Sequence, residues 1–85
     1  MKSRITLKRK MIRVEWQDHS SLGGWLHFDE TNDWCEEDPM ICVTTGWLWY
    51  ENEQVLVIAQ TIAENGVSGL MKIIKSDIVH RKVIK

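Results

Sequence analysis

Between Val14 and Met71 the chain has no lysine and no arginine, although it carries eleven of these residues in its 85. Lys2, Arg4, Lys8, Arg9, Lys10 and Arg13 open the sequence, and Lys72, Lys75, Arg81, Lys82 and Lys85 close it. Eleven of the twelve acidic residues fall in the interval, with Asp77 the exception. A formal net charge of −1 therefore conceals two basic ends around an acidic middle. Cysteine is equally scarce. Cys35 and Cys42 are too few for a disulfide framework, and without an export signal they read as reduced thiols. Together with His19, His27 and His80 they lack the paired spacings of a structural zinc site. No run approaches the roughly 20 apolar residues of a membrane helix. The basic opening MKSRITLKRK leads into no apolar h-region. These absences point to one cytoplasmic domain with no metal and no cofactor, too short to be two domains.

What the sequence does contain is centred on Ile41–Ile62. Val43, Thr44, Thr45, Trp47, Trp49 and Tyr50 form one run, and Val55, Val57, Ile58, Thr61 and Ile62 another. β-Branched and aromatic side chains suit a pleated, half-buried surface. The polar Glu51-Asn52-Glu53-Gln54 between them reads as a four-residue hairpin loop.

The remaining elements fall into place around this hairpin. Met11–Gln17 alternates, with Ile12, Val14 and Trp16 on one face, and predicts a first strand. Asp18–Ser21 and Gly23-Gly24 then break the pattern. From Trp25 to Pro39 the chain lacks periodicity and carries six acids in the eleven residues from Phe28 to Asp38. It reads as a long acidic loop whose Trp25 and Trp34 fold back onto the domain. Asn65-Gly66 signals a type I′ turn into a fourth strand, Val67–Lys75, with a bulge or bend at Gly69. Lys75-Ser76-Asp77 suits one 3₁₀ turn, and Ile78–Lys85 alternates as a fifth strand. Residues 1–10 could be an edge strand, a helical turn or a solvated basic arm. The expected architecture is all-β: a five-stranded closed barrel over residues 11–85, its last strand lying beside its first.

At this point the residues resemble a family. Gly46-x-Leu48 followed by Val55-Leu56-Val57-Ile58 is similar to the first motif of SH3-like barrels of the Sm-like kind. Ile73–Ile78 is similar to the second, with Lys75-Ser76 where that family has Arg-Gly. Its base-recognising Asp and Asn have no counterpart among Glu51–Gln54. The chain also resembles small bacteriophage proteins without an assigned activity. Val14-Glu15-Trp16, Gly24-Trp25, Cys42–Leu48 and Ile73–Ile78 carry that likeness over residues 11–85. The resemblance implies a ring-forming, RNA-binding scaffold acting in an infected bacterial cell.

For chemistry, Asp18-His19-Ser20 is contiguous, whereas catalytic triads assemble from separated segments, so no enzyme is expected. Nucleic-acid or nucleotide binding would use Arg13, Lys72, Lys75, His80, Arg81 and Lys82 as a phosphate-facing stripe. Trp25 and Trp34 would supply stacking surfaces. Against this, the same cations could neutralise the acidic loop of a neighbouring subunit. Trp47 and Trp49, with Val55 and Val57, are expected at a homo-oligomer interface, because so small an interior cannot hold both rings. The leading expectation is a self-associating accessory protein that binds RNA or a nucleotide. The alternative is an interaction module whose acidic loop engages, or imitates nucleic acid for, a host or phage protein.

Overall fold

The computed structural model describes all residues from Met1 to Lys85. Five strands form one antiparallel sheet: β1 (Met11–Gln17), β2 (Ile41–Glu51), β3 (Val55–Ala63), β4 (Gly66–Ile74) and β5 (Ile78–Val83). Their spatial order is β4-β3-β2-β1-β5, so the last strand does lie beside the first. β4 and β5 do not pair with each other, and the sheet is open instead of the closed barrel expected. The 3₁₀ turn Lys75–Asp77, with extended residues on either side, leads the chain from one sheet edge to the other.

Alternation on β1 puts Ile12 and Val14 at the centre of the core with no exposed surface. Leu56, Ile58 and Ile73 complete the cluster, and Trp16, Leu48 and Ile78 pack on it. Only eight residues are buried, none of them polar or charged. Burial of an aliphatic side chain contributes about 1.5–3 kcal/mol, so a core this small leaves hydrogen bonds and ion pairs a large share in holding the fold. Gly46 is one of the buried eight. A Cβ there would stand 2.5 Å from Ile58 Cγ2 and 2.8 Å from the Ala59 carbonyl oxygen. Only glycine lets β2 and β3 approach this closely.

Turn chemistry differs from expectation at one hairpin. Ala63 pairs with Gly66, so Glu64-Asn65 form the connection, and neither Asn65 nor Gly66 has a positive φ. The turn is therefore not type I′. The left-handed conformation falls instead on Gly69 (φ 69°), where the β3–β4 ladder skips the Gln60–Gly69 pair. Ala59–Leu70 and Thr61–Ser68 keep the same register on either side, so Gly69 marks a local break in the pairing and not a bulge with an extra residue. At the β2–β3 turn, Asn52 Oδ1 accepts from the amides of Gln54 and Val55, both at 2.8 Å. An Asx turn of this kind satisfies two backbone donors that the hairpin would otherwise leave free.

The acidic segment is the larger correction. Its middle is a nine-residue helix, α1 (Phe28–Glu36), and not irregular loop. Asp29 and Glu30 in its first turn complement the helix dipole. The Thr31 hydroxyl donates to the His27 carbonyl at 3.0 Å, and Pro39 follows the helix end. The sequence thus carried start and stop signals that the lack of apolar periodicity masked. The helix buries none of its residues. The Asp18 amide donates to the Met40 carbonyl (2.9 Å), which closes the base of an arm spanning residues 18–40. No helix in the protein is long and apolar enough to cross a membrane. The molecule measures 61 × 24 × 23 Å, and its 17.7 Å radius of gyration far exceeds the ~12 Å of a compact chain this long.

Candidate functional site

The sheet divides the expected basic stripe into separate groups. On β1 and β5, Arg13 stands opposite Lys82 and Glu15 opposite His80. Arg13 Nη1 donates to Glu15 Oε1 at 3.0 Å, so one cation of the stripe is already paired. Lys75 and Arg81 meet elsewhere, on Glu51 at the end of β2. Lys75 Nζ lies 2.7 Å and Arg81 Nη1 2.6 Å from Glu51 Oε2, and Arg81 Nη2 lies 3.4 Å from Oε1. Donation first from Arg81, then from Lys75, lowers the Glu51 carboxyl from 4.5 to about 2. This three-membered clasp ties the turn after β4 and the β5 strand to the centre of the sheet. It joins by side chains two edges that backbone hydrogen bonds leave apart.

Lys72 lies away from both groups, in a cleft of about 260 Å³ between the ends of β1 and β4. Trp16, Asp18, His19 and Asp77 share this cleft, and His19 Nε2 sits 3.3 Å from Asp77 Oδ2. A second cleft of about 470 Å³ is lined by Glu53, Gln54, Val55, Ile74, Lys75 and Ser76. It joins the β2–β3 turn to the 3₁₀ turn, has no aromatic wall, and its one cation is committed to Glu51. No group of three or more His, Cys, Asp or Glu side chains is placed to hold a metal ion.

The aromatic residues are distributed differently again. Trp25 is 102% exposed and Phe28 88% exposed, both on the arm, while Trp34 is half-buried. Trp25 therefore does not fold back onto the domain as expected, but stands in solvent. Trp49 occupies the register shift between Leu48 and Tyr50. The Arg9 guanidinium lies 3.6 Å above its ring and donates to its carbonyl at 2.7 Å. With the Leu48 amide donating to the Lys10 carbonyl (2.8 Å), this pins the end of the otherwise irregular residues 1–10. Trp47 pairs with buried Ala59, Val57 is 8% exposed in the core, and Val55 is half-buried at the start of β3.

The sequence reading passed over the apolar side chains on the two open edges. Leu70 (54%) and Ile74 (52%) are exposed on β4, and Val79 (50%) and Val83 (51%) on β5. Only strand order could have identified these strands as edges. No protein-family model, no curated protein and no solved structure matches the chain. The all-β class and the open five-stranded sheet rest on the structure itself.

Proposed function

We propose that the protein is a non-enzymatic interaction module in which the acidic, aromatic arm engages a basic partner surface. The observation that carries this is the exposure of Trp25 and Phe28 on an arm whose helix buries nothing. Leaving two large rings in water forgoes about 1.5–3 kcal/mol each, and exposed apolar clusters rimmed by charge mark binding surfaces. Aromatic anchors of this kind dominate interface energetics. The six acids around them set the sign of the partner's charge. We read the sheet as an open form of an SH3-like or Sm-like barrel, a reading supported by β5 lying beside β1 and by the Glu51 clasp. By resemblance, the setting is the cytoplasm of an infected bacterium and the partner a host or phage protein.

The test is a titration of a fluorescently labelled amphipathic Lys/Leu peptide, followed by anisotropy. Combined Trp25→Ala and Phe28→Ala should weaken binding at least about tenfold, since each anchor is worth on the order of 1–2 kcal/mol. The urea midpoint should not move. Equal affinity for the double variant and the parent would overturn the reading.

A second reading, binding of RNA or a nucleotide, is favoured by one observation. Lys8, Lys10, Lys82 and Lys85 form no ion pair within the molecule. Affinity for a labelled oligouridylate should then fall steeply with salt and be lost in Lys82→Glu/Lys85→Glu. Binding that ignores salt, or no binding at all, sinks it.

A further inference from the structure

The arm and the β5 edge are unsatisfied in complementary ways. The arm presents aromatic rings among acids, on backbone that no strand covers. β5 presents Val79, Val83 and the following Ile84 (47% exposed), interspersed with His80, Lys82 and Lys85. Its outer edge has no partner strand. Unpaired edges that carry apolar side chains are poorly tolerated in isolation and are commonly covered by a helix or loop. The β4 edge is less suited to the arm: its cations are Lys72, in the cleft with Asp18 and Asp77, and the adjoining Lys75, held by Glu51.

The far half of the β5 edge, Val83 to Lys85, lies away from the arm of its own molecule, although Ile78 at the start of β5 pairs with Trp16 beside the arm's base. The arm leaves β1 at Gln17, whereas Val83 pairs with Ile12 and the Lys85 carbonyl accepts from the Met11 amide, at the opposite end of the strand. The 7 residues of β1 separate these ends by about 20 Å. The helix buries no residue, and the molecule stretches to 61 Å.

From this placement we infer that the acidic arm of one copy docks on the basic, apolar β5 edge of a second copy. The inference rests on the arm being a docking element and names this chain itself as an occupant. Trp25 and Phe28 cover Val79 and Val83, while Asp33, Glu36 and Glu37 face Lys82 and Lys85. Each copy has one arm and one edge to offer to another copy.

Sedimentation velocity over a concentration series tests this with two charge-reversed proteins. One carries Glu36→Lys and Glu37→Lys on the arm; the other carries Lys82→Glu and Lys85→Glu beyond the edge. All four positions are exposed, and matching circular dichroism and urea midpoints establish that both variants fold. The parent should assemble as concentration rises. Its apparent Kd should weaken at least about fivefold between about 0.1 M and about 1 M salt, where the screening length falls from about 10 Å to about 3 Å. Each variant alone should remain monomeric, since positions 36 and 37 of its arm and positions 82 and 85 of its edge, which face each other in the contact, now carry one sign. An equimolar mixture should assemble again, because each variant's arm is then complementary to the other's edge. Three results would each overturn the proposal: a parent that stays monomeric throughout, variants that assemble unaided, or a mixture that stays monomeric. The arm's role toward other basic partners is decided separately by the Lys/Leu peptide titration, so the two failures are distinguishable.

Discussion

Replacing Glu51 by glutamine removes one negative charge from between two cations. The two ion-pair distances of 2.7 and 2.6 Å, with the second Arg81 contact at 3.4 Å, define a clasp that the neutral amide cannot reproduce. A carboxyl lowered from 4.5 to about 2 corresponds to about 3 kcal/mol at 1.36 kcal/mol per unit. Glu51 and Lys75 are each 30% exposed and Arg81 38%, so solvent screens the interaction, and about 1–2 kcal/mol is the figure to expect. For a domain of this size that is a fall in Tm of roughly 4–16 °C. The sign with pH follows from the direction of the shift. The folded-state carboxyl is depressed, so its contribution is complete above about 4.5 and is lost as pH falls toward about 2. By about pH 3 more than half should be gone. Urea unfolding of parent and Glu51→Gln at several pH values should show a constant difference near neutrality that narrows below pH 4.5. A difference under about 0.3 kcal/mol at neutral pH, or one as large at pH 3 as at pH 7, would refute the clasp as a stabilising element.

Gly46→Ala should cost about 2–3 kcal/mol by urea unfolding, because the added methyl meets the Ala59 carbonyl oxygen at 2.8 Å and backbone must shift. Gly66→Ala, with nothing within 4 Å of the new methyl, should change stability by less than about 0.5 kcal/mol. Arg9→Ala should cost about 0.5–1 kcal/mol by loss of the cation–π contact with Trp49 and free residues 1–9 for limited proteolysis. An unchanged cleavage rate in that segment would mean that Arg9 does not anchor it.

The strands were legible because each announced itself locally. Ile12, Val14 and Trp16 alternate along β1, Val55 to Ile58 are β-branched or aliphatic, and Lys75-Ser76-Asp77 interrupts where the 3₁₀ turn stands. Helix α1 was missed because its apolar stripe is short, Phe28, Trp34 and Cys35 on one face of FDETNDWCE, and no residue of it is fully buried. Periodicity detects elements through the faces they hide, and this one half-hides only Thr31 and Trp34. The type I′ turn was misassigned because Asn-Gly reports the freedom to adopt positive φ and not the register that would demand it. Pairing of Ala63 with Gly66 placed the turn on Glu64-Asn65 instead.

The candidate surfaces separate along the same line. The sequence alone determined the segregation of charge, the scarcity of ligating side chains and the position of the strands, because each is a property of composition or of a short window. Only the tertiary structure decided that Lys75 and Arg81 converge on Glu51 while Lys82 and Lys85 form no ion pair. The same holds for Trp49 beneath Arg9, Trp25 in solvent, and β5 as an open edge. Which charges meet depends on strand order and sheet curvature, and these bring together residues such as Glu51 and Arg81 that lie thirty positions apart in the chain.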